Sequence, residues 1–171
     1  ELSGRPSNAD VGSYAGITVS VTDGIASQSL TPFTLTVVNV NDAPTISGSP
    51  ATSIAQDTGY SFTPIVSDID NTSLSLTISN KPSWATFDST SGTLSGIPTR
   101  DDVGLYSNIL ISVSDGQLSS TLNPFSIDVT YVNAPPVAND MVMRVKEDNN
   151  LSVSAQVSDS DNDNLVIEVV T

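Results

Sequence analysis

Apolar and polar residues alternate one by one along several stretches of the chain. The alternation is clearest at 109–114 and 125–130, where Ile109, Ile111 and Val113, then Phe125, Ile127 and Val129, occupy every second position. A period of two predicts strands with one face buried and the other exposed. Gly, Pro, Asn and Asp interrupt the chain at short intervals, and no window shows apolar residues at helical spacing. The pattern therefore predicts an all-β chain with almost no helix.

The same pattern recurs when the sequence is shifted by 92 residues. Leu2-Ser3-Gly4 then falls on Leu94-Ser95-Gly96, and Asp10-Val11-Gly12-Ser13-Tyr14 falls on Asp102-Val103-Gly104-Leu105-Tyr106. A shift of 91 places Val66-Ser67-Asp68 on Val157-Ser158-Asp159. Self-similarity at a fixed period indicates a repeat array. We predict three units: the C-terminal half of one domain at 1–40, a complete domain at 41–132, and the N-terminal half of a third at 133–171, so that the chain is a piece of a longer array.

The complete unit has the size of an immunoglobulin-like or cadherin-like Greek-key sandwich. Seven strands are predicted, near 44–48, 60–67, 73–80, 84–88, 93–96, 106–114 and 124–132. Tyr14 and Tyr106 follow the pattern Asp-x-Gly-x-Tyr directly ahead of a strand. Such a tyrosine is typical of a tyrosine corner, in which the hydroxyl binds nearby backbone. We therefore assign both tyrosines a structural role.

Composition excludes several functional classes. Five Lys and Arg stand against 19 Asp and Glu, which gives a net charge of −14, and the chain has neither His nor Cys. The usual zinc, haem and nucleophilic triad chemistry needs those residues. Five scattered cations also make nucleic acid and anionic membranes unlikely partners, because phosphate binding requires a basic patch. We expect no enzyme activity, since nothing marks a pair of catalytic carboxyls.

Motifs along the middle unit resemble a known family. The motifs are Asn41-Asp42-Ala43-Pro44, Tyr60-Ser61-Phe62, Asp68-x-Asp70, Lys81-Pro82-Ser83-Trp84, Gly92-Thr93-Leu94-Ser95-Gly96-x-Pro98, Asp102-Val103-Gly104-x-Tyr106 and Val113-Ser114-Asp115-Gly116. Together they resemble the dystroglycan-type cadherin-like domain, also described as an immunoglobulin-like repeat of large bacterial surface proteins. The resemblance covers 41–132, while 133–171 is similar more generally to the cadherin-like repeats of bacterial adhesins.

The resemblance implies Ca²⁺ bound between successive domains. The ligands it implies at the first junction are Asp10, Asn39, Asn41, Asp42, Asp68 and Asp70. Those it implies at the second are Asp57, Asp101, Asp102, Asn133, Asp159 and Asp161. The chain departs from the family pattern at Asn39, at Ala9 and in the second linker 131–135, which lacks an Asp. Fewer anionic ligands predict weaker or fewer ions.

Elementary chemistry points the same way without the resemblance. Ca²⁺ takes six to eight oxygen ligands, and carboxylates gathered at a seam either raise a pKa or recruit a cation. Because Lys and Arg are so scarce, we expect that cation to come from solution. The alternative is that each Asp-x-Asp is only a solvated turn, since Asp and Asn favour turns for local hydrogen-bonding reasons.

These observations predict a calcium-stiffened spacer or adhesion module of a large secreted or membrane-associated bacterial surface protein. Its expected partners are neighbouring repeats and, beyond them, surface proteins or glycans. The alternative function is a carbohydrate-binding module attached to a polysaccharide-active protein, in which Trp84 and Phe87 would stack on a sugar. An isolated Trp in an alternating strand is more often a core residue.

The two half-units suggest self-association. Residues 1–40 supply the back strands of a sandwich and 133–171 supply front strands, so each presents an apolar face that lacks its partner sheet. We call residues 1–40 the head and residues 133–171 the tail. We expect the tail of one molecule to dock on the head of another. Since head and tail are different surfaces, the contact would build rings or open chains.

Overall fold

The computed structural model describes residues 1–169. Its regular structure is almost entirely β, with two single-turn 3₁₀ helices at Asn8–Asp10 and Arg100–Asp102. The head contributes four strands, β1 (Gly12–Ile17), β2 (Ser20–Thr22), β3 (Ser27–Ser29) and β4 (Phe33–Val37). In the head, β1 pairs with β4 and β2 pairs with β3, both antiparallel. The all-β prediction is confirmed.

The middle unit contains ten strands. They are β5 (Thr45–Ser47), β6 (Ser53–Ala55), β7 (Tyr60–Phe62), β8 (Ile65–Ser67), β9 (Ser75–Ser79), β10 (Ala85–Phe87), β11 (Leu94–Gly96), β12 (Gly104–Ser114), β13 (Ser119–Thr121) and β14 (Phe125–Thr130). One sheet has the order β13-β12-β14-β6, with β9 also paired to β12. A second has the order β10-β11-β7, and β5 pairs with β8.

The sheets enclose two neighbouring apolar clusters. In the first, Tyr60, Ala85 and Leu94 from the second sheet meet Ile109 and Ile127 from the first, so the two sheets face each other across a core. The second cluster is Leu76, Ile111, Val113 and Leu122, with Ile46 and Val66 of β5 and β8 packed against it. The arrangement is an all-β sandwich, as the alternating pattern predicts.

Three differences from the predicted strands have physical causes. The strand predicted over 60–67 is broken at Pro64 into β7 and β8, which join different partners, because proline cannot donate a ladder hydrogen bond. The two short strands β6 and β13 were not predicted. Each has only three residues, and its strand conformation comes from pairing with β14 or β12 rather than from its own pattern.

The sequence repeat is also a repeat of strand register. Gly12 pairs with Val37 in the head, and Gly104 pairs with Val129 at the same place in the middle unit. In the tail, β15 (Val137–Ala138) pairs with β16 (Val157–Ser158), in the register that β5 and β8 use. Equivalent residues of the three units therefore occupy equivalent places, which allows the two junctions to be compared position by position.

Equivalent positions differ greatly in burial. Val113 is fully buried, whereas its head counterpart Val21 is 70% exposed; Ile127 is fully buried, whereas Leu35 is 46% exposed. A groove of about 860 Å³ opens beside β1 and β4. In the tail, the inward-facing positions of the predicted front strands, including Leu151 and Ile167, are exposed as well. The docking of a tail on the head of a second copy stays a prediction.

We expect residues 1–171 to associate at high concentration while residues 41–132 stay monomeric. Burial of apolar surface drives the association, and the trimmed chain lacks both open faces. Static light scattering of the two chains over the same concentration series measures it. Equal monomer masses for both chains at every concentration would remove the head-to-tail hypothesis.

Candidate functional site

The loop after β8 is fastened to the linker between the first two units. Asp68 Oδ1 accepts hydrogen bonds from the backbone N–H groups of Asp70 and Asn71, both at 2.7 Å. Asp70 Oδ2 in turn accepts the backbone N–H of Asp42 at 2.6 Å. Short polar side chains form such local turns readily. Asp68 therefore shapes the loop, and Asp70 fastens it to Asp42 of the linker, so the three predicted residues lie in one hydrogen-bonded set.

Three asparagine side chains extend this network. Asn41 Nδ2 donates to Asp115 Oδ2 at 2.6 Å, and Asn71 Nδ2 donates to Asn41 Oδ1 at 2.9 Å. From the head, Asn8 Nδ2 donates to Asp42 Oδ2 at 2.5 Å. We call the connected set the first junction; it consists of Asn8, Asn41, Asp42, Asp68, Asp70, Asn71 and Asp115. The set joins the head, the linker, the β8 loop and the β12–β13 turn.

One carboxylate oxygen of the first junction is buried without a partner. Asp68 Oδ2 is inaccessible to solvent and makes no hydrogen bond, while Oδ1 of the same carboxylate makes two. Burying a charged oxygen without a hydrogen bond or a counter-ion is costly. A cation beside this oxygen would remove that cost.

Asp115 carries a firmly held negative charge at the same place. Its pKa lies below the usual value because it accepts the Asn41 side-chain amide and the backbone N–H groups of Leu118 and Gln117. Hydrogen bonds to a carboxylate stabilise its ionised form. The sequence indicates only a hairpin turn at Asp115-Gly116, and the structure adds the contact with the linker.

Two predicted ligands of the first junction, Asp10 and Asn39, do not join its hydrogen-bond network. Asp10 Oδ2 accepts the backbone N–H and the hydroxyl of Ser7, both at 2.8 Å, and thereby caps its 3₁₀ turn. Both hydrogen bonds lower the pKa of Asp10, and the bond from the backbone N–H has the larger effect. Asn39 lies exposed in the linker. Asn41, Asp42, Asp68 and Asp70 are thus brought together, while the side-chain bonds of Asp10 stay within its own turn.

The second junction is built around a buried aspartate. Asp161 is 7% exposed; its Oδ2 accepts the Ala134 backbone N–H at 2.5 Å, and its Oδ1 pairs with Arg100 at 2.5 Å. Within residues 1–169, this is the one ion pair. The Arg100 guanidinium also lies 5.1 Å from the centre of the Tyr131 ring, within cation–π range. The expectation that every junction cation must come from solution is therefore wrong here, because Arg100 supplies one.

The pKa of Asp161 is lowered, first by the hydrogen bond from Ala134 and further by the charge of Arg100. Partial loss of hydration at the Tyr131 hydroxyl, together with its proximity to Asp161, raises the pKa of Tyr131. Asp161 is thus held as a carboxylate between a donor and a cation.

Of the other predicted ligands of the second junction, Asp159 lies beside Asp161, while Asp57, Asp102 and Asn133 make contacts elsewhere and Asp101 is exposed. Asp159 Oδ1 accepts the backbone N–H of Asp161 at 2.7 Å, and one oxygen each of Asp159, Asp161 and Asp163 lie within 4.8 Å of one another. Asp102 caps its own turn through Thr99, and Asp101 is exposed beside it. The remaining two make local contacts: Asp57 Oδ2 accepts Gln56 Nε2 at 3.4 Å, and Asn133 Oδ1 accepts the Tyr131 hydroxyl at 3.3 Å.

Both tyrosine corners are confirmed. The Tyr14 hydroxyl donates to the Asp10 carbonyl at 2.9 Å, and the Tyr106 hydroxyl donates to the Asp102 carbonyl at 3.0 Å. Each hydroxyl ties the start of a long strand to the 3₁₀ turn before it. The corners thus position Asn8 and Arg100, which begin those turns.

Trp84 and Phe87 pack against the core. The Trp84 ring meets Tyr60 edge-on at 5.8 Å and Tyr106 at 6.1 Å. A Cβ added to Gly96 would lie 2.6 Å from the Trp84 carbonyl oxygen, so the backbone there is closely packed too. Phe87 contacts both core clusters. A sugar-stacking platform needs exposed ring faces, whereas these two rings are partly buried in the sandwich.

Six junction residues were missed by reasoning from the sequence: Asn8, Asn71, Arg100, Asp115, Tyr131 and Asp163. The 92-residue shift places Arg100 on Asn8, but neither residue carries a local signal for a junction. In the sequence, Asn8 and Asp115 look like the polar residues of ordinary turns.

The fold defines an immunoglobulin-like β-sandwich module. The chain belongs to the family described as "Putative Ig domain", whose profile matches residues 43–130. This match bears out the immunoglobulin-like part of the resemblance, while the cadherin-like type stays a prediction.

The chain is similar to a fragment of much longer proteins. It is 33% identical over 120 residues to the serine-rich adhesin for platelets of Staphylococcus aureus strain MRSA252, a match that covers 67% of this chain and 8% of the adhesin. The adhesin of strain MW2 matches equally, over 5% of its length. The chain thus spans less than a tenth of these relatives.

Two solved structures align with parts of this chain at TM-scores below 0.5. An endo-fucoidan hydrolase, MfFcnA4 from glycoside hydrolase family 107, is 29% identical with a TM-score of 0.41, over 75% of this chain and 20% of that one. A putative alpha-galactosidase from Bacteroides fragilis is 19% identical with a TM-score of 0.43, over 55% of this chain and 19% of that one. Across residues 1–169, neither helix has the length or apolarity to cross a membrane.

Proposed function

We propose that this chain is a non-enzymatic spacer or adhesion module whose first junction binds Ca²⁺. The observation that carries the proposal is the buried, unpartnered Asp68 Oδ2. An orphaned carboxylate oxygen next to further carboxylates suits a hard, oxygen-seeking cation. The ion would supply positive charge at a seam to which the described residues contribute no Lys or Arg ion pair.

The residues that would hold the ion are those of the first junction. Asp68 and Asp70 supply carboxylates from the β8 loop, Asp42 supplies one from the linker, and Asp115 supplies one from the β12–β13 turn. Asn41 adds an amide oxygen. Oxygen ligands of this kind are the ones that Ca²⁺ selects, and nitrogen and sulfur ligands of softer metals are missing because the chain has no His or Cys.

An ion at this place would stiffen the array. The junction connects the head, the linker and the middle unit through hydrogen bonds made by side chains. Water competes for these bonds. A cation shared by the linker and the β8 loop would add links across the same seam and relieve repulsion among the carboxylates. The two units would then turn relative to each other less freely.

The proposed setting is extracellular or at the cell surface of a bacterium. Two facts support it: the family membership, and similarity to proteins named as adhesins of Staphylococcus aureus. The strongly acidic composition without Cys is compatible with a solvated, calcium-containing exterior. In this proposal the module spaces or presents adhesive parts of a longer protein and performs no chemistry itself.

Calorimetric titration tests the calcium site directly. We expect Ca²⁺ to bind residues 1–171, and Asp68→Asn to weaken binding by at least about tenfold, because ligand charge sets calcium affinity. Asp128→Asn is the matched control, since it removes the same charge from an exposed position on β14 of the same unit. A titration without binding heat at several temperatures, or equal weakening by both variants, would refute the site.

A further inference from the structure

The repeat provides an internal comparison between the two junctions. Where the 92-residue shift aligns them, three positions differ together: Asn8 becomes Arg100, Asn39 becomes Tyr131 and Asp42 becomes Ala134. The second junction therefore gains a cation and an aromatic ring and loses the linker carboxylate, while Asp101 and Asp163 stand where the first junction has Ala9 and Thr72.

The backbone of the two junctions is arranged in the same way. At the first, the Asp42 N–H donates to Asp70 Oδ2 at 2.6 Å; at the second, the Ala134 N–H donates to Asp161 Oδ2 at 2.5 Å. The Asp-x-Asp loop is closed identically too, through Asp68 at the first junction and Asp159 at the second. The difference between the junctions therefore lies in the side chains around a common frame.

The three changed side chains act on one another. Arg100 pairs with Asp161 Oδ1 and lies over the Tyr131 ring, so the ring shields one side of the guanidinium. The position of Asp42 is filled by Ala134, so the second linker has no carboxylate of its own to neutralise. Asp161 is buried and has both oxygens occupied, by Arg100 and by Ala134. A buried carboxylate that is paired and hydrogen-bonded needs no further cation of its own, and Arg100 is the cation already present beside the carboxylate cluster of Asp159, Asp161 and Asp163.

We propose that Arg100 serves as a built-in cation at the second junction, so that this junction is held without calcium while the first depends on it. The contrast with the first junction rests on the proposed function, whereas the Arg100 tether stands on its own contacts. The array would then contain two kinds of joint: one that stiffens with the calcium concentration and one whose stiffness is constant.

The Ala134 amide reports on the tether. Its N–H is bonded to Asp161, so its hydrogen exchange slows only while the third unit is docked on the second. In the full chain we expect the same protection in excess chelator and in millimolar Ca²⁺. Arg100→Gln should speed the exchange of Ala134 by at least about tenfold, because it leaves a buried carboxylate unpaired. Protection of Ala134 that changes with Ca²⁺, or that survives Arg100→Gln, would overturn the proposal.

Two controls keep this result specific. Arg5→Gln removes the same charge from an exposed position in the head and should leave Ala134 protected. The core amides of Ile111 and Ile127 show whether the Arg100 variant stays folded; if they lose protection, Arg100→Lys replaces it, because lysine keeps the charge. Arg100→Lys should protect less than the wild type, because lysine lacks the planar fork and the stacking of arginine.

A triple substitution that converts the second junction into the first tests the proposal in the opposite direction. Arg100→Asn, Tyr131→Asn and Ala134→Asp together give the second junction the residues of the first. On an Asp68→Asn background, Ala134 protection should become dependent on Ca²⁺. Protection that persists in chelator would show that Arg100 is not the tether. If the wild type binds no Ca²⁺ at all, the proposed function fails, and the chelator experiment with Arg100→Gln still decides the tether.

Discussion

Calcium at 100 times its dissociation constant is expected to raise the free energy of unfolding of residues 1–171 by about 2.7 kcal/mol. The gain follows from mass action if the ion binds the folded first junction and not the unfolded chain. Thermal melts in millimolar Ca²⁺ and in excess chelator measure it, and for a domain the size of the middle unit each kcal/mol moves the melting temperature by about 4–8 °C.

The response should depend on the Asp-x-Asp loop. Asp68→Asn combined with Asp70→Asn removes two carboxylates of the first junction, including the unpartnered one, and should abolish most of the calcium-induced shift. Asp128→Asn should retain it. Melting temperatures that agree in calcium and in chelator would mean that the carboxylates at this seam are solvated without a bound ion.

Ile111→Ala is expected to destabilise the middle unit by about 2–5 kcal/mol, because it leaves a cavity in a closely packed core. Ile111 is fully buried in the second cluster, opposite strands β5 and β8. The loss is a large part of the roughly 5–15 kcal/mol that holds a domain folded. Urea unfolding followed by Trp84 fluorescence measures it, since this tryptophan packs in the same unit.

The repeat supplies the control for this substitution. Val19 occupies the position of Ile111 in the head and is 46% exposed, so Val19→Ala should change the unfolding of the middle unit by less than about 0.5 kcal/mol. Similar losses for the two variants would mean that the head is part of the same cooperative unit and that its open face is covered in solution.

The long strands were predictable because their own sequence determines their burial. In β12 and β14 the alternating residues Ile109, Ile111 and Ile127 point into the core, as their spacing predicts. The short strands were not, because three residues carry no period and their conformation depends on a neighbour. Pro64 ended a strand whose apolar pattern continues through it.

The same distinction applies to the junctions. The family resemblance implied that Asp42 shares a site with Asp68 and Asp70, and the three are linked by hydrogen bonds in the structure. The part played by Asp115 comes from the way the β12–β13 turn folds back to the linker, which no local pattern encodes. Arg100 could not be assigned to a junction for another reason. Its partner Asp161 lies 61 positions away in the sequence, and without that partner a single arginine looks like a scattered surface charge.

The pairing of β6 with β14 has a mechanical consequence. These strands are parallel, with Asp128 opposite Ser53 and Thr130 opposite Ala55, and β14 leads into the second linker. When a chain is pulled from both ends, two parallel strands near opposite ends of a domain slide along each other instead of peeling apart. Their hydrogen bonds then carry the load together rather than one after another. We therefore expect the middle unit to resist extension along the array better than its resistance to heat would indicate.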